Sequence, residues 1–274
     1  MKVTLLGTGS PLPSPDCAGP STMVQSGATS ILVDAGRGVV MRLAGAHMVP
    51  ALLSGVLLTH LHSDHISDLN DVVTSHWVMH PTSTPLAIFG PRGTRQVVNG
   101  LMAMLAPDIG YRLAHHEDLT NPPLPVVTEV EPGDTFALGE VSITVHATDH
   151  RPVEPTVGYR MDDGAAVVAL AGDGVPCASL DELVADATVY VQTVIREDLV
   201  SLVPNERFID ILDYHSTVGQ AADTAERGGV TCLMLTHFVP GLTEENEGEW
   251  RDQASAFTGQ LILGPDLTSF DTEA

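Results

Sequence analysis

Residues 59–65 read Thr59-His60-Leu61-His62-Ser63-Asp64-His65 and follow the apolar run Gly55-Val56-Leu57-Leu58. Four metal-binding side chains fall within positions 60–65. On an extended segment His60 and His62 alternate, so both project to one side. Asp64 and His65 come at the turn into a helix, whose first turn offers unpaired backbone N–H groups. Zinc takes imidazole nitrogen and carboxylate oxygen, and a catalytic zinc leaves one position open for water. The segment can therefore present a histidine pair to one ion and an Asp-His pair to a second. Two such ions make hydroxide near neutral pH, and hydroxide cleaves esters. A lone histidine is more often a core or surface residue. Four ligands in six positions after a strand favour a metallohydrolase instead.

Outward from this segment, short apolar runs alternate with turns and helical patterns. Residues 2–6, 30–34, 55–59, 86–89, 126–129, 141–146, 166–171, 188–192 and 232–236 read as strands. Residues 37–44, 66–79, 93–105, 180–186 and 217–228 read as helices, with Thr217 and Asp181 near two of their starts. Strands come in groups and alternate with helices. Two mixed sheets with helices outside them, an α/β sandwich, fit that order better than one doubly wound sheet. Residues 106–125, with Asn121-Pro122-Pro123, read as an irregular excursion. The tail from Glu244, rich in acids, reads as solvated and partly ordered surface.

At 274 residues the chain suits one domain with a sizeable core, and its apolar content is 43%. No apolar run reaches the length of a membrane span, and the start is too weakly basic for a signal peptide. A cytoplasmic protein that begins at Met1 and has no membrane partner is expected. Cys17, Cys177 and Cys232 are odd in number and far apart, which excludes a disulfide framework and a cysteine-based zinc knot. The net charge is −23, and the one lysine and eleven arginines form no basic patch. Such a surface disfavours nucleic acid.

The pattern His60-x-His62-x-Asp64-His65 resembles the signature of the metallo-β-lactamase superfamily, and the likeness extends over nearly all of residues 1–274. Within it the chain looks like the ribonuclease Z and arylsulfatase-like branch. Gly7-Thr8-Gly9-Ser10-Pro11, Asp34-Ala35-Gly36, Gly158-Tyr159-Arg160, Gly172-Asp173, His215-Ser216-Thr217 and Thr236-His237-Phe238 carry that likeness. The resemblance implies a four-layer αββα sandwich, a dinuclear site and a homodimer. It implies His150, Asp173 and His237 as the remaining ligands, with Asp173 bridging. One ion would take His60, His62, His150 and Asp173, and the other Asp64, His65, Asp173 and His237. His146 is a rival to His150 on the same strand. His76, His80, His115 and His116 read as surface or pocket-rim residues.

The resemblance further implies two zinc ions, with manganese or iron able to use the same ligands. It implies catalytic roles for Asp64, which would orient the attacking hydroxide, and for His215, which would protonate the leaving oxygen. His215 also suits a plain helix-cap neighbour. Three departures bear on substrate. Gln192 stands where the branch has a glutamate supporting the histidine. Cys17 stands where many relatives have an arginine. Only residues 151–172 separate His150 from Asp173, too few for the long tRNA-binding arm. A small phosphodiester or ester substrate is therefore expected, with RNA 3′ ends disfavoured. An arylsulfatase-like or lactonase activity on the same ions is the alternative. A non-catalytic metal-bearing binding protein is the alternative from another class.

Overall fold

The computed structural model describes residues 1–80 and 84–273. Two sheets of seven strands each make up its middle layers. The first holds β1 (Lys2–Gly7), β2 (Ser21–Ser26), β3 (Thr29–Val33), β4 (Gly55–Leu57), β5 (Leu86–Gly90) and β6 (Pro125–Glu129). The second holds β7 (Thr135–Leu138), β8 (Val141–Ala147), β9 (Val157–Asp162), β10 (Val167–Leu170), β11 (Val189–Ile195), β12 (Cys232–Val239) and β13 (Gln260–Ile262). The last strand, β14 (Ser269–Asp271), returns to the edge of the first sheet beside β1. The strand orders are 14-1-2-3-4-5-6 and 13-12-11-10-9-8-7. In each sheet an antiparallel half meets a parallel half, the change falling after the β2–β3 pair and between β9–β10 and β10–β11. Mixed sheets covered by helices are the expected architecture, and the two-sheet reading holds.

Alternation explains the layers. Along β11, Val189 and Val191 enter the core between the sheets, while Tyr190 and Val194 face the outer helices. A strand buried on both faces reads as a continuous apolar run. Val3, Leu5, Ile31, Val33 and Leu57 of the first sheet meet Val145, Tyr159, Val168 and Val191 of the second. Helices Ala178–Val184, Val218–Arg227 and Glu247–Gln253 cover the second sheet. Helices Val39–Gly45, Leu69–Met79 and Thr94–His115 cover the first. Thr217 caps its helix in a reciprocal box with Gln220, which satisfies two otherwise free N–H groups.

Several expectations need correction. The helix from Thr94 does not stop at residue 105 but runs through Pro107 to His115, so the irregular excursion is only its last part. Proline forfeits one main-chain donor, and the Asp108–Arg112 pair at 2.8 Å spans the turn that follows. The expected helix 66–79 is two pieces, Ser63–Ile66 and Leu69–Met79. The sequence pattern does not reveal the strands β2, β7, β9, β13 and β14. The acidic tail is more ordered than expected, with Trp250 fully buried and Asp266 paired with Arg42 at 2.7 Å. Among the described residues no helix is long and apolar enough to cross a membrane.

Candidate metal centre

The seven expected ligands converge where the parallel halves of the two sheets end. β4 delivers Thr59 and His60, and the short helix Ser63–Ile66 carries Asp64 and His65. His150 lies beyond the end of β8, in an isolated bridge with Val153. Asp173 follows β10 through Gly172, whose φ is 69°. A Cβ on Gly172 would come within 2.7 Å of Thr59 Cβ, so only glycine lets the turn approach β4 this closely. His237 lies within β12, where the pairing with β11 shifts register, and its φ of 55° turns the imidazole into the site. A positive φ is uncommon for a residue with a side chain, and such strain gathers at functional sites.

Asp173 Oδ2 is the hub. The Nε2 atoms of His215, His65, His237, His60 and His150 stand 3.3, 3.5, 3.6, 3.8 and 3.9 Å from it. Two clusters divide around this oxygen. His60, His62, His150 and Asp173 offer donor atoms within 4.8 Å of one another, and so do Asp64, His65 and His237. His62 contributes Nδ1, 3.0 Å from His60 Nε2 and 3.3 Å from His150 Nε2.

The outer ring nitrogens explain why the inner ones point inward. His150 Nδ1 donates to the Tyr214 carbonyl at 2.8 Å, which leaves Nε2 a bare lone pair. His65 Nδ1 pairs with Asp34 Oδ2 at 2.8 Å. His60 Nδ1 pairs with Thr59 Oγ1 at 3.0 Å. Partners of this kind fix tautomer and ring orientation for a metal ligand. Asp34 is the residue that sequence reasoning valued too little. Its carboxylate accepts from Thr59 N at 2.8 Å and from Thr59 Oγ1 at 2.9 Å, as well as from His65. The available signal was an aspartate ending an apolar strand ahead of Ala35-Gly36.

The donor set fits divalent ions. His65 Nε2 and Asp173 Oδ1 are buried with no hydrogen-bond partner, a costly state that a cation would relieve. Burial pushes His60 well below the ordinary imidazole range, with the charge of His65 adding to the effect. Burial also pushes His150 down to about 4. Both rings are therefore neutral at pH 7, as ligation requires. Burial opposes the charges on His65 and Asp173, yet their environment overrides it. Asp173 and Asp34 raise His65 well above the imidazole range. His237 and His65 hold Asp173 well below the carboxylate range. Without metal, a proton on His65 balances carboxylates that an ion would otherwise neutralise.

His146 is no rival to His150, since it stays on β8, half-buried, beside Glu182 and Arg160. His76 is buried rather than at the surface. His80 and His116 do line a surface pocket, with Trp77 and Arg112. Gln192, which stands where the branch has a supporting glutamate, makes its hydrogen bonds away from His215. Gln192 bonds Tyr190, the Gly172 carbonyl and Thr193. His215 Nδ1 donates instead to the Ile211 carbonyl at 2.9 Å, so the backbone does the orienting.

The family profile described as the beta-lactamase superfamily domain matches residues 29–238. A ribonuclease Z of Mycobacterium avium is 51% identical over 100% of this chain and 99% of its own length. The chain belongs to the β-lactamase superfamily, in its ribonuclease Z branch. A second ribonuclease Z, of Mycolicibacterium gilvum, is 52% identical over 97% of this chain and 94% of its own. Superfamily architecture also recurs in solved structures. A metallo-beta-lactamase fold protein of Bacillus subtilis has a TM-score of 0.77 at 22% identity, covering 98% of both chains. The short form of human tRNase Z has 0.73 at 21%, covering 99% of both. These two show the fold alone. The curated relatives weigh against the expectation that RNA is disfavoured, which rested on charge and on the short segment 151–172.

Proposed function

We propose that this chain is a single-domain dinuclear zinc phosphodiesterase acting on RNA, in keeping with its ribonuclease relatives. The observation that carries the reading is Asp173, one carboxylate within reach of both ligand clusters. His60, His62, His150 and Asp173 would hold one ion, and Asp64, His65, Asp173 and His237 the other. Bound there, the pair would supply acidified water and neutralise charge on the phosphoryl group.

The chain's own residues do the rest. Asp64 Oδ2 is 3.2 Å from His237 Nε2 and 3.6 Å from His65 Nε2. Burial opposes its charge, but the His237 hydrogen bond and the His65 charge keep its carboxyl below the usual range. Asp64 is thus an anion that can orient the attacking water and accept its proton. His215 Nδ1 donates to the Ile211 carbonyl and its Nε2 faces Asp173 Oδ2 at 3.3 Å, so a second proton taken up by the ring would sit on Nε2. Burial pulls His215 down, and Asp173 outweighs it and raises the imidazole above its ordinary value. Asp173 thus favours the protonated ring, whose Nε2 proton can go to the leaving oxygen.

Segment 151–172 folds into the β9–β10 hairpin and its approach, so the grip on RNA must come from other surfaces. A homodimer belongs to the proposal, through the helices Leu69–Met79 and Thr94–His115, on which Met79, Met104 and Tyr111 are 51%, 59% and 74% exposed. A cytoplasmic setting belongs to it as well. Zinc-loaded protein should cleave bis(p-nitrophenyl) phosphate and a pre-tRNA 3′ trailer, and Asp64→Ala should abolish both. Absence of zinc-dependent turnover on either substrate would sink the reading.

A further inference from the structure

A second recess opens beside the ligand clusters, and the proton relay does not use it. Its volume is about 190 Å³. His215 and His237 form one wall. Pro11 and Leu12 from the loop after β1, Val239 from the end of β12, and Phe208 and Ile211 close the others. Arg207 stands at the rim. The space is below the roughly 300–1,000 Å³ of sites that enclose a drug-sized ligand, which suits one flat ring system. The walls are apolar where a phosphodiester is charged, so the recess does not serve the phosphate itself.

Arg207 supplies the second clue. The net charge is −23, and most arginines of this chain are committed to carboxylates or carbonyls. No ion pair among the described residues includes Arg207, although Glu206 and Asp210 share its helix, Glu206–Asp210. Phe208 is half-buried and Leu12 is 46% exposed, so the recess is open to an entering group. An aromatic face, aliphatic walls and a free guanidinium are the parts with which proteins hold a splayed-out base.

We propose that this recess holds one unstacked nucleobase of the nucleotide whose phosphate lies at the ligand clusters. Phe208 is its stacking face and Arg207 its cationic rim. The inference rests on the phosphodiesterase reading and narrows it to single-stranded RNA at the point of cleavage. A base paired within a duplex cannot enter.

Calorimetric titration of the zinc-loaded protein with AMP and with ribose 5-phosphate isolates the base, because the phosphate is common to both. The expected result is AMP binding at least about tenfold more tightly, the scale of one stacked base. Phe208→Ala should erase that difference and leave ribose 5-phosphate unchanged. Phe208→Leu, which keeps the apolar fill, should lose most of it, and Arg207→Ala part of it. Equal affinities in the native protein would overturn the proposal. So would a difference that Phe208→Ala and Phe208→Leu both retain, or butyl phosphate binding as well as AMP. Hydrolysis without base preference removes the recess proposal alone. Base-dependent binding without hydrolysis removes the enzyme reading and leaves the recess.

Discussion

Asp34 Oδ2 lies 2.8 Å from His65 Nδ1, and both side chains are buried. The same carboxylate holds the main chain and hydroxyl of Thr59, the residue before His60. One side chain on β3's end thus fixes ligands of both clusters. Asp34→Asn keeps the shape but replaces one acceptor oxygen with a donor facing Thr59 or His65. We expect metal affinity to fall by about 10–100-fold, the usual effect of losing such a partner. The fold should persist. Competition with a chromogenic chelator measures this, and an unchanged affinity would contradict the role.

This relationship marks the boundary of what the sequence makes legible. His60 to His65 declare themselves because four ligands crowd one turn. Asp173 and His237 are legible as polar residues that end or interrupt apolar strands. Asp34 has the same signal, but its role depends on β3 lying next to β4, and pairing is a long-range fact. β2 hides because Ser21, Thr22, Gln25 and Ser26 dilute its apolar pair, and burial of Ser21 and Thr22 is set by neighbours distant in sequence. The tail misleads in the opposite way. Its acids dominate the composition, while Trp250 and Asp266, which anchor it, are single residues. Gln192 is legible as a departure from the branch, but a one-residue motif comparison carries no direction, and only the structure shows its amide turned towards the Gly172 carbonyl.

The protonation pattern gives the metal-free protein a window of stability. His65 titrates well above its ordinary 6.5. Its contribution is complete below 6.5 and is lost as pH rises through the folded value. Asp173 and Asp64 titrate below their ordinary 3.8. Theirs is complete above 3.8 and is lost as pH falls through the folded values. Burial depresses His60 and His150, so their contribution is complete above 6.5 and is lost as pH falls towards their folded values. Chelator-treated protein should therefore melt at its highest temperature near pH 6.5 and weaken towards both acid and alkaline pH. Zinc loading removes the proton from His65, so the alkaline decline should disappear. Melting curves from about pH 5 to about pH 9 test this, and parallel profiles with and without zinc would refute it.

The two sheets are tied by a buried phenol. Tyr159 Oη on β9 donates to the Leu58 carbonyl at 2.7 Å, two residues before His60. Burial pushes the phenol well above its ordinary range, so it stays a donor at any working pH. Tyr159→Phe removes the donor and leaves a buried carbonyl without its partner. A loss of about 1–3 kcal/mol is expected. Denaturant unfolding should show it as a lower midpoint with an unchanged slope. A midpoint equal to the native one would mean that water replaces the phenol.

Thiol reactivity should separate the cysteines. Cys232 on β12 is fully buried, and burial pushes its thiol up to about 12. Cys17 and Cys177 are partly exposed. The thiolate is the reactive form. A disulfide reagent at pH 8 should label Cys17 and Cys177 in the native protein and Cys232 only after unfolding. Native labelling of Cys232 at a comparable rate would show that β12, which carries His237, opens readily.

His215 makes the sharpest prediction about chemistry. If its Nε2 proton goes to the leaving oxygen, the cost of removing it depends on how much that oxygen needs a proton. A ribose alkoxide needs one, whereas nitrophenolate leaves without it. His215→Ala should lower kcat by about 10²–10⁴ on RNA, the span of a positioned acid, and far less on bis(p-nitrophenyl) phosphate. Zinc content should not change, because the clusters are complete without this residue. An equal loss on both substrates would assign His215 to holding Asp173 Oδ2, its 3.3 Å neighbour, rather than to proton delivery.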